Sequence, residues 1–115
     1  IRFEYFLSLL RNAQFMIGNS SAGIRETGLY GVPAIDIGTR QKNRYSLAEL
    51  TNVQWVTENK KDICKAIDII EKYRKPSIKF GDGTSTEKFM NILASDIWDK
   101  NLQKQFYDLE IKDNV

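Results

Sequence analysis

An apolar strand passes into a helix within the stretch Phe15-Met16-Ile17-Gly18-Asn19-Ser20-Ser21-Ala22-Gly23-Ile24-Arg25-Glu26. Residues 15–17 have the apolar character of a short buried strand, and residues 24–30 are predicted to form the helix. The residues between them are small or hydroxylated, so a ligand can approach the backbone closely. Because the first N–H groups of a helix have no partner within it, the stretch predicts a binding site for an anion such as phosphate.

Strands and helices are predicted to alternate on either side of this stretch. The chain opens with apolar residues at helical spacing, which are Phe3, Phe6, Leu7 and Leu10. Further strands are predicted at residues 34–37 and 54–56, and a further helix from Asn59 or Lys60. Such alternation favours an α/β fold with a Rossmann-like parallel sheet and helices on both faces.

The rest of the chain is predicted to be helical. Residues 84–86 offer caps for a helix that carries Phe89 and Ile92, and a last apolar stripe is formed by Leu102, Phe106 and Leu109. We therefore assign residues 1–98 to one Rossmann-like domain and residues 99–115 to a helical tail. One sheet half has no evident place to bury the stripe of the tail, so we expect it to pack on a missing domain or on a second subunit of a homo-oligomer.

Composition and charge narrow the class of protein. The 17 basic and 15 acidic residues are interspersed and leave a charge of +2, which does not favour nucleic acid as a partner. The single cysteine, Cys64, allows no internal disulfide and no cluster of cysteine metal ligands, and it fits a reduced, cytoplasmic setting. We expect no metal site and no cofactor. No apolar run approaches the roughly 20 residues that span a membrane. Since the chain begins at Ile1, we expect an N-terminal domain to be missing.

The two serines and the carboxylate of the opening stretch are candidate ligand contacts. Ser20 and Ser21 either cap the helix or bind a phosphate, and Gly23 beside them lets the ligand approach. Glu26 lies four residues after Ala22 and therefore on the same face of the helix. Its carboxylate either accepts hydrogen bonds from neutral hydroxyls, such as those of a ribose, or complements the helix dipole or a basic side chain.

A second loop is expected beside the first. Residues 38–44 follow the second strand as residues 18–21 follow the first, and parallel strands bring both loops to the carboxyl edge of the sheet. Arg40 is the best candidate for phosphate contact, because its planar fork can engage two oxygens. Lys42 and Arg44 are predicted to be solvated loop charges. The alternative is that the whole segment is an ordinary polar connection.

Four segments resemble the C-terminal part of UDP-N-acetylglucosamine 2-epimerases in order and spacing: Asn19-Ser20-Ser21-Ala22-Gly23-Ile24-Arg25-Glu26, Gly31-Val32-Pro33, Gly38-Thr39-Arg40-Gln41 and Phe80-Gly81-Asp82-Gly83. The resemblance covers residues 1 to 95 approximately, and it is closest to the hydrolysing branch, which makes the precursor of sialic acids. The non-hydrolysing branch usually carries Asp-Ser-Gly-Gly where this chain has residues 19–22. The tail after Trp98 carries no motif of the family.

The resemblance implies the C-terminal half of a GT-B-like fold, in which two Rossmann-like halves enclose UDP-N-acetylglucosamine. It implies that Ser20 and Ser21 bind the diphosphate, that Glu26 binds the ribose, that Arg40 contributes to the UDP site, and that Gly23 leaves room for the nucleotide. Catalytic residues are expected upstream, so the fragment alone is expected to be inactive. Alternatives are a non-hydrolysing or diacetamido-sugar UDP 2-epimerase, a GT-B glycosyltransferase, and a nucleotide-binding module without catalysis.

Overall fold

The computed structural model of the protein describes residues 1–100 and Gln103. The chain divides into two compact units, Ile1–Gly83 and Thr84–Val115. Within the described residues, the helices are too short and too polar to cross a membrane. The predicted stripe of Leu102, Phe106 and Leu109 lies outside the described residues, so the boundary after Trp98 and the helical tail stay predictions.

A parallel sheet forms the centre of the first unit. Its strands are β1 (Met16–Gly18), β2 (Ala34–Ile37) and β3 (Val53–Val56), and they lie in the order β1-β2-β3. Ile17 is opposite Ile35, and Ile35 is opposite Gln54. The predicted strands are confirmed, although β1 begins and ends one residue later than predicted and β3 begins one residue earlier. The α/β class is confirmed.

The described residues include four α-helices, of which the first unit contains α1 (Phe3–Arg11), α2 (Ala22–Arg25) and α3 (Lys60–Asp68) and the second unit contains α4 (Ser85–Leu93). Among the same residues, short 3-10 helices are formed by Thr27–Tyr30, Ile70–Tyr73 and Asp96–Asp99. α3 begins as predicted, with the side chain of Asn59 accepting a hydrogen bond of 2.8 Å from the amide of Lys61. The asparagine therefore caps this helix in the usual way.

The single helix predicted over residues 24–30 is wrong, because the structure has two short pieces there. α2 ends at Arg25, and the 3-10 helix Thr27–Tyr30 follows it. The Thr27 hydroxyl donates a 2.7 Å hydrogen bond to the carbonyl of Gly23, which is the acceptor that the Thr27 amide would use in a continuous helix. Gly31 then ends the segment in the left-handed conformation, with φ of 65°.

Helices cover both faces of the sheet, as predicted. One face buries a cluster formed by Ile24, Ala34, Leu50 and Val53. The other face buries a cluster formed by Ile35, Val56, Ala66 and Ile70. Because successive residues of a strand point to opposite faces, Ala34 and Ile35 of β2 belong to different clusters. α2 reaches the first cluster through Ile24, and α3 reaches the second through Ala66.

The apolar faces of α1 and α4 are largely exposed. Leu10 is the buried residue of α1, whereas Phe3 is 59% exposed and stacks on Phe6 with ring centroids 6.3 Å apart. α4, in the second unit, has no buried residue, and Phe89 is also 59% exposed. The helical periodicity was informative about the secondary structure but not about which faces are covered.

Hydrogen bonds of Asn52 connect the start of β2 with the 3-10 helix that precedes it. The side chain is fully buried, and its amide donates to Thr27 Oγ1 at 2.9 Å and to the carbonyl of Val32 at 3.0 Å. The backbone carbonyl of Asn52 accepts from the Ala34 amide at 2.9 Å. Asn52 therefore connects the segment before β3 with both ends of the turn that enters β2.

We expect Asn52→Ala to lower the free energy of unfolding by about 1–3 kcal/mol, because the substitution leaves the Val32 carbonyl and the Thr27 oxygen without a buried donor. Urea unfolding followed by circular dichroism measures the change. Asn91→Ala, on the exposed surface of α4, is the matched control and should change stability by less than about 0.5 kcal/mol. Equal effects of the two substitutions would contradict the role given to Asn52.

Candidate functional site

Two loops meet at the carboxyl edge of the sheet. Gln41, in the loop after β2, is fully buried, and its Nε2 donates to the carbonyl oxygen of Asn19 at 2.7 Å. Arg40 lies beside it, and its Nη1 is 3.4 Å from both the carbonyl oxygen and Oδ1 of Asn19. The predicted proximity of the two loops is confirmed. The guanidinium of Arg40 is therefore held next to the loop that carries Ser20 and Ser21.

The serine hydroxyls lie at the surface of this junction. Ser20 is exposed, and its Oγ accepts a 3.3 Å hydrogen bond from the amide of Ala22. Ser21 is half-buried and occupies the capping position of α2 without a capping bond from its side chain. The prediction of helix capping thus holds only weakly for Ser20 and fails for Ser21. The hydroxyl proton of Ser20 is left to donate to a ligand.

The first amides of the helix are not unpaired, contrary to the prediction. Gly23 N–H donates to the carbonyl of Ser20, and Ile24 N–H donates to the carbonyl of Ser21, both at 3.1 Å. These bonds form because the chain already turns at Ser20, before α2 begins. An anion at this position would therefore be held by the serine hydroxyls and by Arg40 rather than by free amides at the start of a helix.

Gly23 leaves space on the side of the sheet. It is buried, and a Cβ atom added there would lie 3.9 Å from both Ala34 Cβ and Met16 Sδ, which is an ordinary van der Waals distance. An alanine would therefore fit here, and the packing of α2 on β1 and β2 does not itself require glycine. A contact between Gly23 and a nucleotide stays a prediction.

Glu26 carries a buried oxygen that lacks a partner. The residue is half-buried, yet its Oε2 atom is inaccessible and has no hydrogen-bond partner within the described part of the chain. Leaving a buried acceptor unsatisfied costs about 1–3 kcal/mol, so such an atom calls for an explanation. A ligand hydroxyl could reach this oxygen only after the Glu26 side chain turns to expose it. The assignment of Glu26 to a ribose therefore stays a prediction.

A hydrogen bond between Tyr45 and Asp36 fixes the second loop to the sheet, and the sequence analysis did not identify it. Tyr45 Oη donates to Asp36 Oδ2 at 2.7 Å, and Asp36 is buried in the central strand. Burial raises the pKa of Asp36, while the bond from Tyr45 opposes that rise. Burial, aided by the neighbouring carboxylate, also raises the pKa of Tyr45. The sequence feature that could have revealed this contact is the carboxylate of Asp36 within the otherwise apolar strand Ala34–Ile37.

A pocket of about 440 Å³ opens beside the same loop. Gln41, Tyr45 and Leu47 line it from the loop, and Trp55 lines it from β3. The indole of Trp55 is held in place by a 2.6 Å hydrogen bond from Nε1 to the carbonyl of Gly38.

Groups of three or more His, Cys, Asp or Glu side chains that could hold a metal ion do not occur in the part of the chain that the structure describes.

Comparison with known families agrees with this arrangement. A family model described as UDP-N-acetylglucosamine 2-epimerase matches residues 1–94. The chain belongs to the UDP-N-acetylglucosamine 2-epimerase family. The matched residues include both loops, so Ser20, Glu26 and Arg40 all lie within the part of the chain that is typical of these epimerases.

Three relatives illustrate the range of this epimerase family. A UDP-N-acetylglucosamine 2-epimerase of Neisseria meningitidis is 44% identical over 114 residues, which are 96% of this chain and 30% of that protein. A hydrolysing GDP/UDP-N,N′-diacetylbacillosamine 2-epimerase of Campylobacter jejuni is 51% identical over 41 residues, 36% of this chain and 11% of that protein. A hydrolysing UDP-N,N′-diacetylbacillosamine 2-epimerase of Legionella pneumophila is 30% identical over 99 residues, 78% of this chain and 24% of that protein. The chain thus spans less than a third of the length of these epimerases.

We expect the stability of this epimerase domain to depend on pH through Asp36. Its pKa is raised on folding, so the wild type loses stability as the pH rises above the ordinary value of 3.8 and through the folded-state pKa. Asp36→Asn removes that loss and keeps an acceptor for Tyr45. The free energy of unfolding of the variant minus that of the wild type should therefore be more positive at neutral pH than below pH 3.8.

Urea unfolding of both proteins at the two pH values measures this difference. Asp68→Asn on the exposed side of α3 is the control, and its difference from the wild type should stay nearly constant. A difference for Asp36→Asn that falls or stays level as the pH rises would contradict the assignment.

Proposed function

We propose that the chain is the UDP-binding half of a hydrolysing UDP-N-acetylglucosamine 2-epimerase, which converts UDP-N-acetylglucosamine into N-acetylmannosamine and UDP. The observation that carries this proposal is the contact between Arg40 and Asn19, because it holds a guanidinium against the loop that carries Ser20 and Ser21. Hydroxyl donors and a planar cation together suit a pyrophosphate. Membership of the family supplies the nucleotide sugar as the source of that pyrophosphate.

The proposed reaction is an elimination followed by a hydration. The bond between C1 of the sugar and the pyrophosphate oxygen breaks, its electron pair leaves with UDP, and a proton is lost from C2. Water then adds to the resulting glycal and gives N-acetylmannosamine. In this scheme Arg40 stabilises the negative charge that develops on the departing UDP, and Ser20 and Ser21 donate hydrogen bonds to it.

The acid and base groups of this scheme are expected outside the chain. The chain has no histidine, and its one buried carboxylic acid in the central strand, Asp36, is already bonded to Tyr45. We propose that carboxylates and a histidine of an upstream domain act on the sugar. The 115 residues alone would then bind UDP without turning over the nucleotide sugar.

Glu26 is assigned to the ribose. The half-buried carboxylate of Glu26, once turned outwards, can accept a hydrogen bond from a neutral hydroxyl, whereas direct contact with the pyrophosphate would place two negative charges together. Glu26 follows β1 and Arg40 follows β2, so the nucleoside and the pyrophosphate would lie over neighbouring parts of the sheet edge.

A second candidate is an epimerase for a diacetamido sugar. It is favoured by the two relatives whose names specify N,N′-diacetylbacillosamine, and both of those are named as hydrolysing. The two candidates share the site for UDP and differ in the sugar that the full-length enzyme accepts.

A product assay on the full-length protein tests the proposed reaction. Incubation with UDP-N-acetylglucosamine should release free N-acetylmannosamine and UDP in equal amounts, as measured by chromatography. UDP-N-acetylmannosamine with the nucleotide still attached would show the non-hydrolysing reaction instead. Turnover of the diacetamido substrate with no turnover of UDP-N-acetylglucosamine would favour the second candidate, and transfer of the sugar to an acceptor would indicate a glycosyltransferase.

Two substitutions with different ligand profiles test the proposed binding residues. Arg40→Ala should weaken binding of UDP by about 10- to 100-fold and leave binding of uridine nearly unchanged, because a charge-assisted bond to phosphate contributes about 1.5–3 kcal/mol. Glu26→Ala should weaken binding of uridine and UDP by similar factors, because both ligands contain the ribose.

Calorimetry with both ligands on the wild type and the variants distinguishes these profiles. Arg11→Ala, at the exposed end of α1, is the matched control for Arg40 and should bind both ligands like the wild type. Equal losses of uridine and UDP binding in Arg40→Ala would contradict its contact with the pyrophosphate. Unchanged uridine binding in Glu26→Ala would contradict the ribose assignment.

A further inference from the structure

Trp55 has no part in the function proposed so far, although its indole is bonded to the loop that carries Arg40. Its Nε1 donates a 2.6 Å hydrogen bond to the carbonyl of Gly38, two residues before Arg40. The side chain is 45% exposed, whereas Val53 and Val56 of the same strand are buried. Packing in the core is therefore not the main role of this indole, and its bond to Gly38 suggests a more specific one.

Gly38 is the residue at which the chain leaves β2 and enters the loop. Its φ of 78° is a left-handed conformation, which glycine adopts at little cost. The same freedom would let a glycine act as a hinge for the residues that follow it. Both polar backbone groups of Gly38 are bonded to β3, however, because its amide donates to the carbonyl of Val56 at 3.0 Å and its carbonyl accepts from Trp55. The hinge is therefore held from the side of β3.

Arg40 lies on a short turn that follows Gly38. The amide of Lys42 donates to the carbonyl of Thr39 at 3.0 Å, so a hydrogen-bonded turn forms with Arg40 and Gln41 at its centre. Such a turn fixes the backbone of Arg40 relative to its neighbours in sequence. The direction in which the whole turn points is set by the residue that leads into it, which is Gly38.

The turn is tied to the rest of the first unit on both sides of Arg40. After Arg40, Gln41 Nε2 donates to the carbonyl of Asn19 in the loop that follows β1. Before Arg40, the indole of Trp55 holds Gly38 on the side of β3. Nη1 of Arg40 is 3.4 Å from two oxygens of Asn19, which is longer than a typical N–H···O hydrogen bond. These long contacts hold the guanidinium weakly, so its placement depends on its two bonded neighbours.

We propose that Trp55 is a positioning residue for the pyrophosphate site, because its indole holds the turn of Arg40 in the orientation that puts the guanidinium against the loop of Ser20 and Ser21. This inference rests on the proposed function, since it takes Arg40 as the residue that binds the pyrophosphate. Trp55 acts through Gly38 rather than through contact with the pyrophosphate. A guanidinium that is already in place loses less freedom when UDP binds, so the affinity for UDP is higher.

Trp55→Phe is the variant that tests the proposal, because phenylalanine keeps an aromatic ring and lacks the indole N–H. Calorimetry on the full-length protein should show binding of UDP weakened by about 3- to 10-fold, since the turn must then be ordered when the ligand binds. Binding of uridine, which lacks the pyrophosphate, should stay within about twofold of the wild type. Circular dichroism verifies that the variant is folded.

A double-mutant cycle separates positioning from a general effect on the fold. If Trp55 acts through Arg40, Trp55→Phe introduced into the Arg40→Ala protein should change UDP binding by less than about twofold. A merely structural role would weaken UDP binding by the same factor in both backgrounds.

Trp98→Phe is the matched control. The indole of Trp98 also donates to a backbone carbonyl, that of Leu93 at 3.0 Å, but both residues belong to the second unit. The control protein should therefore bind uridine and UDP like the wild type.

The outcomes distinguish this inference from the proposed function. A selective loss of UDP binding in Trp55→Phe that disappears in the Arg40→Ala background supports the positioning role. Unchanged UDP binding in Trp55→Phe, a loss that persists without Arg40, or an equal loss of uridine binding would overturn that role alone. If Arg40→Ala binds UDP like the wild type, the proposed contact with the pyrophosphate fails, and the role of Trp55 fails with it.

Discussion

The hydrogen bond from Gln41 Nε2 to the carbonyl oxygen of Asn19 is the contact on which the arrangement of the site depends. It joins two loops that are separated in sequence and that leave neighbouring parallel strands at the same edge. Since Gln41 is fully buried, water does not compete for this bond. Arg40 is the preceding residue, so its position follows from a contact inside the protein rather than from the freedom of a surface loop.

The central features of the fold could be predicted from the sequence because they follow from local periodicity. Residues close in sequence determine three such features: the apolar strand Ala34–Ile37, the asparagine cap before α3 and the end of the 3-10 helix at Gly31. The break between α2 and the next helical turn was not predictable in this way. It depends on the Thr27 hydroxyl, which donates a hydrogen bond to the Gly23 carbonyl. A continuous α-helix, in which the Thr27 amide bonds to that carbonyl, would be equally compatible with the local sequence.

The meeting of the two loops could be predicted from the sequence, and the pairing of the helix-start amides could not. Parallel strands were expected to bring Arg40 beside the loop of Ser20, but the first amides of α2 are already hydrogen-bonded within the loop. An anion at this junction would therefore be held by side chains. Gln41, Asn52 and Tyr45, which hold the loops in place, carried no pattern of their own, because long-range hydrogen bonds between buried polar groups leave no periodic signal.

The fluorescence of Trp55 is expected to respond to what occupies the pocket that it lines. The chain has two tryptophans, and this one is held in the first compact unit by its bond to Gly38, with part of the indole facing the space beside the Arg40 loop. Trp98 belongs to the second unit and is 73% exposed. In a protein with Trp98 replaced by phenylalanine, the tryptophan fluorescence would arise from Trp55 alone. A ligand that fills the pocket would exclude water from this indole and so change its emission spectrum.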